Sequence, residues 1–149
     1  MLASRVRGNN MVKKILFVCK YNRFRSKLAE AYFNRGNRNK NFRAESAGIF
    51  RGSYPLDSQQ VRISKTQGLK IEGEPQGISI DLLKKTDIVV IVADDVPKSV
   101  FKFKGKYLQE VIVWKIKDEN YGNEKNIKII GKQIIKKVDK LIKELEGKR

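Results

Sequence analysis

The chain has 149 residues and a mass of 17.2 kDa; 40% of residues are apolar and 9% aromatic, which suffices for one domain core and argues against two domains. Lys and Arg number 33 against 16 Asp and Glu, a formal charge of +17, so anionic partners are favoured. Histidine is absent and Cys19 is the single thiol, which excludes His-based general bases, Cys-His and Ser-His pairs, His zinc motifs, intrachain disulfides and Cys-x-x-Cys redox pairs, and fits a reducing cytoplasmic setting.

Residues 1–10 (MLASRVRGNN) have no apolar period and precede a second methionine, Met11; they are expected to be a disordered arm or foreign to the native chain. Lys14 to Cys19 (KILFVC) reads as a buried strand, too short for a signal-peptide core, and no apolar run approaches the roughly 18 residues of a membrane helix. From Arg25 to Arg35, Leu28, Ala29, Ala31, Tyr32 and Phe33 form an apolar stripe, with Gly36 where a C-terminal cap would fall. Phe42 to Ala47 predicts a second strand, and Gly48, Gly52 and Pro55 mark a loop. Asp57 is placed to cap a helix running to about Gln67 and ended by Gly68, and Ser79 to cap a short helix to about Lys85. Asp87 to Ala93 (DIVVIVA) is apolar on both faces, as a parallel sheet demands. Asp94, Asp95 and Pro97 open another short helix, Glu110 to Trp114 gives a fourth strand, and 125–147 form a last helix. The seam of that helix is Ile127, Ile130, Ile134, Val138, Leu141 and Leu145, with its lysines largely on the solvated side. This alternation predicts an α/β fold: a single domain with a four-stranded parallel sheet, doubly wound, with helices on both faces. Ligands of such sheets sit at the carboxyl ends of the strands, and Cys19 ends the first.

Cys19-Lys20-Tyr21-Asn22-Arg23-Phe24-Arg25-Ser26 joins that strand to a helix. Backbone N–H groups of a short loop entering a helix N-terminus converge on one point, which suits a tetrahedral oxyanion. Arg25 can offer parallel donors to two oxygens, and Lys20, Arg23, Arg25 and Lys27 put four cations around one sulfur, with no acid nearer in sequence than Glu30. A free cysteine at a strand end is also commonly a packing residue; its place in a cationic octapeptide between strand and helix favours chemistry.

ILFVCKYNRFRSKLAEAYF resembles the opening of the low-molecular-weight protein tyrosine phosphatases and of the thioredoxin-coupled arsenate reductases that share their fold, where Cys-x-x-Asn-x-x-Arg-Ser leads into an Ala-Glu-Ala helix. Cys19, Asn22, Arg25, Ser26, Ala29, Glu30 and Ala31 match, and Glu45-Ser46-Ala47-Gly48 is similar to the family's Ser-Ala-Gly after its second strand. The resemblance covers about residues 12–146 and implies a phosphatase-like domain over 11–149. It implies Cys19 as nucleophile, Arg25 as clamp on the equatorial oxygens, Asn22 as the residue holding an unusual loop conformation, Ser46 as its hydrogen-bond partner and Ser26 as support for the thiolate. Lys20, Tyr21, Arg23 and Phe24 complete the phosphate-binding loop. The family's general acid, an aspartate usually followed by proline, corresponds to Asp118, here followed by Glu119, which becomes a competing proton donor. Tyr121 resembles the aromatic lining the substrate slot, and Phe50 or Tyr54 the opposite wall. Tyr21 replaces a residue small in the phosphatases, and Phe24 replaces a second loop cysteine, so an oxidised Cys19 has no partner close in sequence.

The function implied is hydrolysis of phosphotyrosine proteins or small aryl phosphates by a monomeric, cytoplasmic enzyme, through a cysteinyl-phosphate and water, with no metal or cofactor. Arsenate reduction by a thiol relay needs two further cysteines, which leaves a version using external thiols. A module that binds phosphorylated partners without turnover is a third reading. The lysines spread from Lys13 to Lys148, with no aromatic-interleaved patch or reader motif expected, so neither specific nucleic acid nor membrane is an expected partner.

Overall fold

The computed structural model describes residues 6–7, 10–50, 55–118 and 122–146. Two two-residue strands, β1 (Val6–Arg7) and β2 (Asn10–Met11), pair antiparallel, so the part of the expected N-terminal arm that is described has paired backbone. The domain proper follows as β3 (Lys13–Cys19), α1 (Arg25–Gly36), β4 (Phe42–Gly48), α2 (Ser58–Thr66), α3 (Ile80–Lys84), β5 (Ile88–Val92), a single 3-10 turn (Lys98–Phe101), β6 (Lys102–Phe103), β7 (Lys106–Tyr107), β8 (Glu110–Trp114) and α4 (Glu124–Leu145).

The main sheet runs β4-β3-β5-β8, all parallel. Alternation along β3 divides the core. Ile15 and Phe17 face α1, α2 and α4, where Leu28, Phe33, Ile63 and the α4 seam of Ile127, Ile130, Ile134, Val138, Leu141 and Leu145 are all buried. Leu16 and Val18 face the other layer with Val89, Ile91, Val96 and Phe101, against which Leu82 and Leu83 of α3 pack. Phe17 holds the first layer together, its ring 5.9 Å from those of Phe33 and Trp114. Truncating it to Ala removes about 3–5 kcal/mol.

The helix starts follow their capping residues. Asp57 accepts from the Gln60 N–H at 2.9 Å, and Ser79 Oγ from Leu82 N–H at 3.1 Å. Three expectations need correction. Gly36 is the last residue of α1; the cap is Asn37, whose side-chain amide bonds the carbonyls of Asn39 and Phe42 and so needs no left-handed residue. The short helix after Asp95 is one 3-10 turn, because Pro97 fixes its entry and Phe101 turns into the core after four residues. Residues 102–107 form a hairpin with no counterpart among the predicted elements: Lys104 (φ 51°) and Gly105 (φ 80°) make a two-residue left-handed turn. Its sequence, FKFKGKY, interleaves aromatics and lysines, contrary to the expectation that no such patch exists.

The connection through α1 places β4 on one side of β3, and the chain then crosses to put β5 on the other. Carboxyl ends therefore open into a crevice at this reversal of strand order. Cys19 ends β3, Asp94 and Asp95 follow β5, and Ile116 to Asp118 follow β8, which brings three distant segments to one edge.

Candidate active site

The loop from Lys20 to Phe24 is folded around one left-handed residue, Asn22, with φ 58°. Asn tolerates that conformation better than most side chains, and here its own amide holds it there. Asn22 Oδ1 accepts from the Gln76 backbone N–H at 2.9 Å, so the amide NH2 faces the other way and donates to Ser26 Oγ at 2.8 Å and to Ser46 Oγ at 2.9 Å. Ser46 in turn donates to Glu30 Oε1 at 2.5 Å. Ser26 Oγ, already an acceptor, lies 3.0 Å from Cys19 Sγ with its hydrogen left to donate there. Cys19, Ser26, Asn22 and Ser46 are all buried.

Close packing fixes the loop from below. A Cβ on Gly48 would sit 2.7 Å from the Tyr21 carbonyl carbon and 2.8 Å from the Asn22 nitrogen, so only glycine fits at the end of β4. The β4 terminus also pairs with the loop, as Ile49 N–H donates to the Cys19 carbonyl and Phe50 N–H to that of Lys20, each at 3.0 Å.

Arg25 is the largest fully buried side chain at 2% exposure, an unusual position for a guanidinium. Its Nη1 donates to the Ile116 carbonyl at 2.9 Å, and its Nη2 lies 3.2 Å from Asp95 Oδ1 and 3.6 Å from Asp118 Oδ2. Two carboxylates thus compensate the buried charge. Among the described residues no other side chain or carbonyl takes the guanidinium, which leaves Nε–H uncommitted. Cys19, Tyr21, Arg23, Phe24, Arg25 and Asp118 line one cavity of about 200 Å³, together with Asp57, Gln60, Gly122 and Ile127.

Some sequence-nominated residues lie elsewhere. Lys27 Nζ turns to the Glu72 carbonyl at 3.0 Å, outside the cavity, because helix geometry carries it away from the loop. Lys20 Nζ stands 5.4 Å from the Tyr21 ring and also does not line the cavity. The four-cation cluster around Cys19 therefore reduces to Arg23 and Arg25. Arg23 is steadied by its Nε–H donating to the Pro55 carbonyl at 2.8 Å. Phe50 reaches the site through Tyr21, their rings 5.8 Å apart. Glu119, Tyr121 and Tyr54 lie outside the described residues.

The fold also supplies groups that sequence reasoning missed: Asp95, Asp57, Gln60 and Gln76. By local pattern alone Asp95 opens a short helix and Asp57 is a helix cap. Only the folding of β5 and α2 beside β3 turns them toward Arg25 and the cavity, a tertiary effect with no local signal. Chemically, a buried guanidinium, a sulfur with a hydroxyl donor and a carboxylate converge on a small cavity, an arrangement suited to a tetrahedral oxyanion.

A family profile described as "Low molecular weight phosphotyrosine protein phosphatase" matches residues 14–149. The chain belongs to that family. No curated protein sequence matches it. Among solved structures it is similar to an arsenate reductase from Archaeoglobus fulgidus (27% identity, 86% of this chain and 98% of that one covered, TM-score 0.70). It is also similar to a low molecular weight protein tyrosine phosphatase from T. tengcongensis (25% identity, 89% and 99% covered, TM-score 0.78). YwlE from Bacillus subtilis shares the fold at 21% identity (90% and 99% covered, TM-score 0.77). Membership supports a phosphatase-like function on phosphorylated substrates, carried out by a cysteine-based phosphatase or a related arsenate reductase.

Proposed function

We propose that this chain is a protein tyrosine phosphatase that hydrolyses phosphotyrosine and simple aryl phosphates through a cysteinyl-phosphate. The observation that carries this reading is the convergence of Cys19, Arg25 and Asp118 on one cavity of about 200 Å³. The phosphoryl group sits in the loop 20–24, its equatorial oxygens taken by backbone N–H groups and by the guanidinium of Arg25. Cys19 thiolate attacks phosphorus, the bond from phosphorus to the phenolic oxygen breaks, and Asp118 delivers a proton to that oxygen. Water then attacks the cysteinyl-phosphate and gives a proton to Asp118, while the sulfur leaves as thiolate, receiving the Ser26 hydroxyl hydrogen bond.

Tyr21, 37% exposed, offers an aromatic wall to the substrate ring, backed by Phe50. Glu119 and Tyr121 remain assigned to the acid loop and the substrate slot by resemblance. Arsenate reduction by an internal thiol relay is disfavoured because Cys19 is the sole cysteine. A single catalytic thiol suits a reducing cytoplasm.

The test measures hydrolysis of a phosphotyrosyl peptide and arsenate-dependent oxidation of added thiols, side by side. Phosphate release without thiol oxidation supports the phosphatase. Arsenate-dependent oxidation of added thiols without phosphate release makes the chain a reductase, and phosphopeptide binding with neither activity makes it a binding module.

A further inference from the structure

We propose that the β6–β7 hairpin is a docking tip for an anionic lipid surface. From Val96 to Gln109 the chain carries Lys98, Lys102, Lys104 and Lys106 and no acidic residue. None of these lysines is ion-paired among the described residues. Three of the four lie over rings instead: Lys98 and Lys102 stand 4.7 and 4.9 Å from the Tyr107 ring centroid, and Lys104 stands 5.6 Å from that of Phe103.

The hairpin has no apolar face turned inward. Lys102 pairs with Tyr107 on one side and Phe103 with Lys106 on the other, and all four are exposed. Phe103 is 60% exposed and Leu108 55%, with Val100 also exposed nearby. A domain with a sound core has no folding reason to hold this many apolar side chains in water on one short segment. Its base is anchored: Phe101 is buried, Leu108 N–H donates to the Phe101 carbonyl, and Gln109 donates to the Leu83 carbonyl at the end of α3. Lys104 and Gly105, both with positive φ, close the tip in a tight two-residue turn.

Rings and ammonium groups held together at an exposed tip match the boundary of a bilayer, where apolar bodies enter the headgroup layer and lysines reach lipid phosphates. A stacked nucleic-acid strand fits less well, because the ring faces that bases would need already carry ammonium groups. The charge of +17 brings any anionic surface near, and the hairpin adds apolar contact to that attraction.

The test is sedimentation of the full chain with phosphatidylcholine vesicles containing roughly one-third phosphatidylserine, at physiological salt, against pure phosphatidylcholine. Three variants accompany it: Phe103→Ser, the triple K102E/K104E/K106E, and the charge-matched triple K132E/K136E/K143E on the exposed face of α4. The expected result is binding to the anionic vesicles alone, weakened at least about tenfold by the hairpin triple and about threefold to tenfold by Phe103→Ser, with the α4 triple within about twofold of wild type. Para-nitrophenyl phosphate hydrolysis by each variant controls for folding. Phe103→Trp should show a blue-shifted emission on anionic vesicles only. Equal weakening by the two triples would mean diffuse charge and overturn the proposal, as would unaltered vesicle binding by both hairpin variants. A single-stranded oligonucleotide whose binding, and not that of vesicles, is lost with the hairpin lysines would overturn it in favour of a nucleic-acid face.

Discussion

The amide of Asn22 donates to Ser26 Oγ at 2.8 Å, which leaves the serine's own hydrogen for another acceptor. Because the Gln76 N–H holds Asn22 Oδ1, the amide cannot flip without breaking three hydrogen bonds at once. The Ser26 hydrogen is left free of Asn22, so the hydroxyl can donate to Cys19, 3.0 Å away, whenever the sulfur carries negative charge. Ser26→Ala should lower kcat about 10-fold to 100-fold, the range of one hydrogen bond to a charged group, while leaving the affinity for inorganic phosphate within a few-fold. Steady-state kinetics with phosphate as competitive inhibitor separate the two; an equal loss in both would mean that Ser26 only shapes the loop.

Gly48 is a steric test of the same loop. Its substitution by Ala puts a methyl against backbone atoms of Tyr21 and Asn22, which cannot rotate away. Gly48→Ala should lose about 1–3 kcal/mol of stability in denaturant titration and at least about tenfold in kcat, since the loop must shift to admit the methyl. Unchanged stability with unchanged kcat would show that the loop can relax.

Arg25 depends on shape as well as charge. Arg25→Lys keeps a cation near Asp95 and Asp118 but cannot also reach the Ile116 carbonyl and two phosphoryl oxygens. Vanadate inhibition and kcat should both fall by at least about 100-fold. Retention of either would assign oxyanion binding to the backbone alone.

Asp118→Asn should reduce hydrolysis of phosphotyrosine by about 100-fold to 10,000-fold, and much less for para-nitrophenyl phosphate, whose leaving group needs little protonation. Glu119→Gln should do little. If Glu119→Gln instead gives the larger, leaving-group-dependent defect, the proton comes from the next residue along.

The elements most legible in the sequence are those with strict periods. KILFVC and DIVVIVA are apolar on both faces, and the α4 seam steps by three and four, so local pattern alone reads them. The hairpin at 102–107 escaped because its strands are two residues long and exposed on both faces, which removes the alternation that marks a strand. At the site, the octapeptide from Cys19 to Ser26 lies together in space because it is contiguous in sequence. Asp95 and Gln76 come from segments more than 50 residues away, and their roles beside Arg25 and Asn22 arise from the order of strands in the sheet. Lys27 shows the converse: a cation adjacent in sequence points elsewhere because the helix has already begun.

In the proposed reaction Cys19 carries the phosphoryl group. Acid quench of the enzyme during turnover of a radiolabelled phosphotyrosyl peptide, followed by peptide mapping, tests this directly. One labelled peptide is expected, containing Cys19, whose label is released as phosphate by iodine, as a sulfur–phosphorus bond requires, and which is absent in Cys19→Ser, a variant that should also show no turnover. Turnover by Cys19→Ser at a rate near wild type, or label on any other residue, would contradict it.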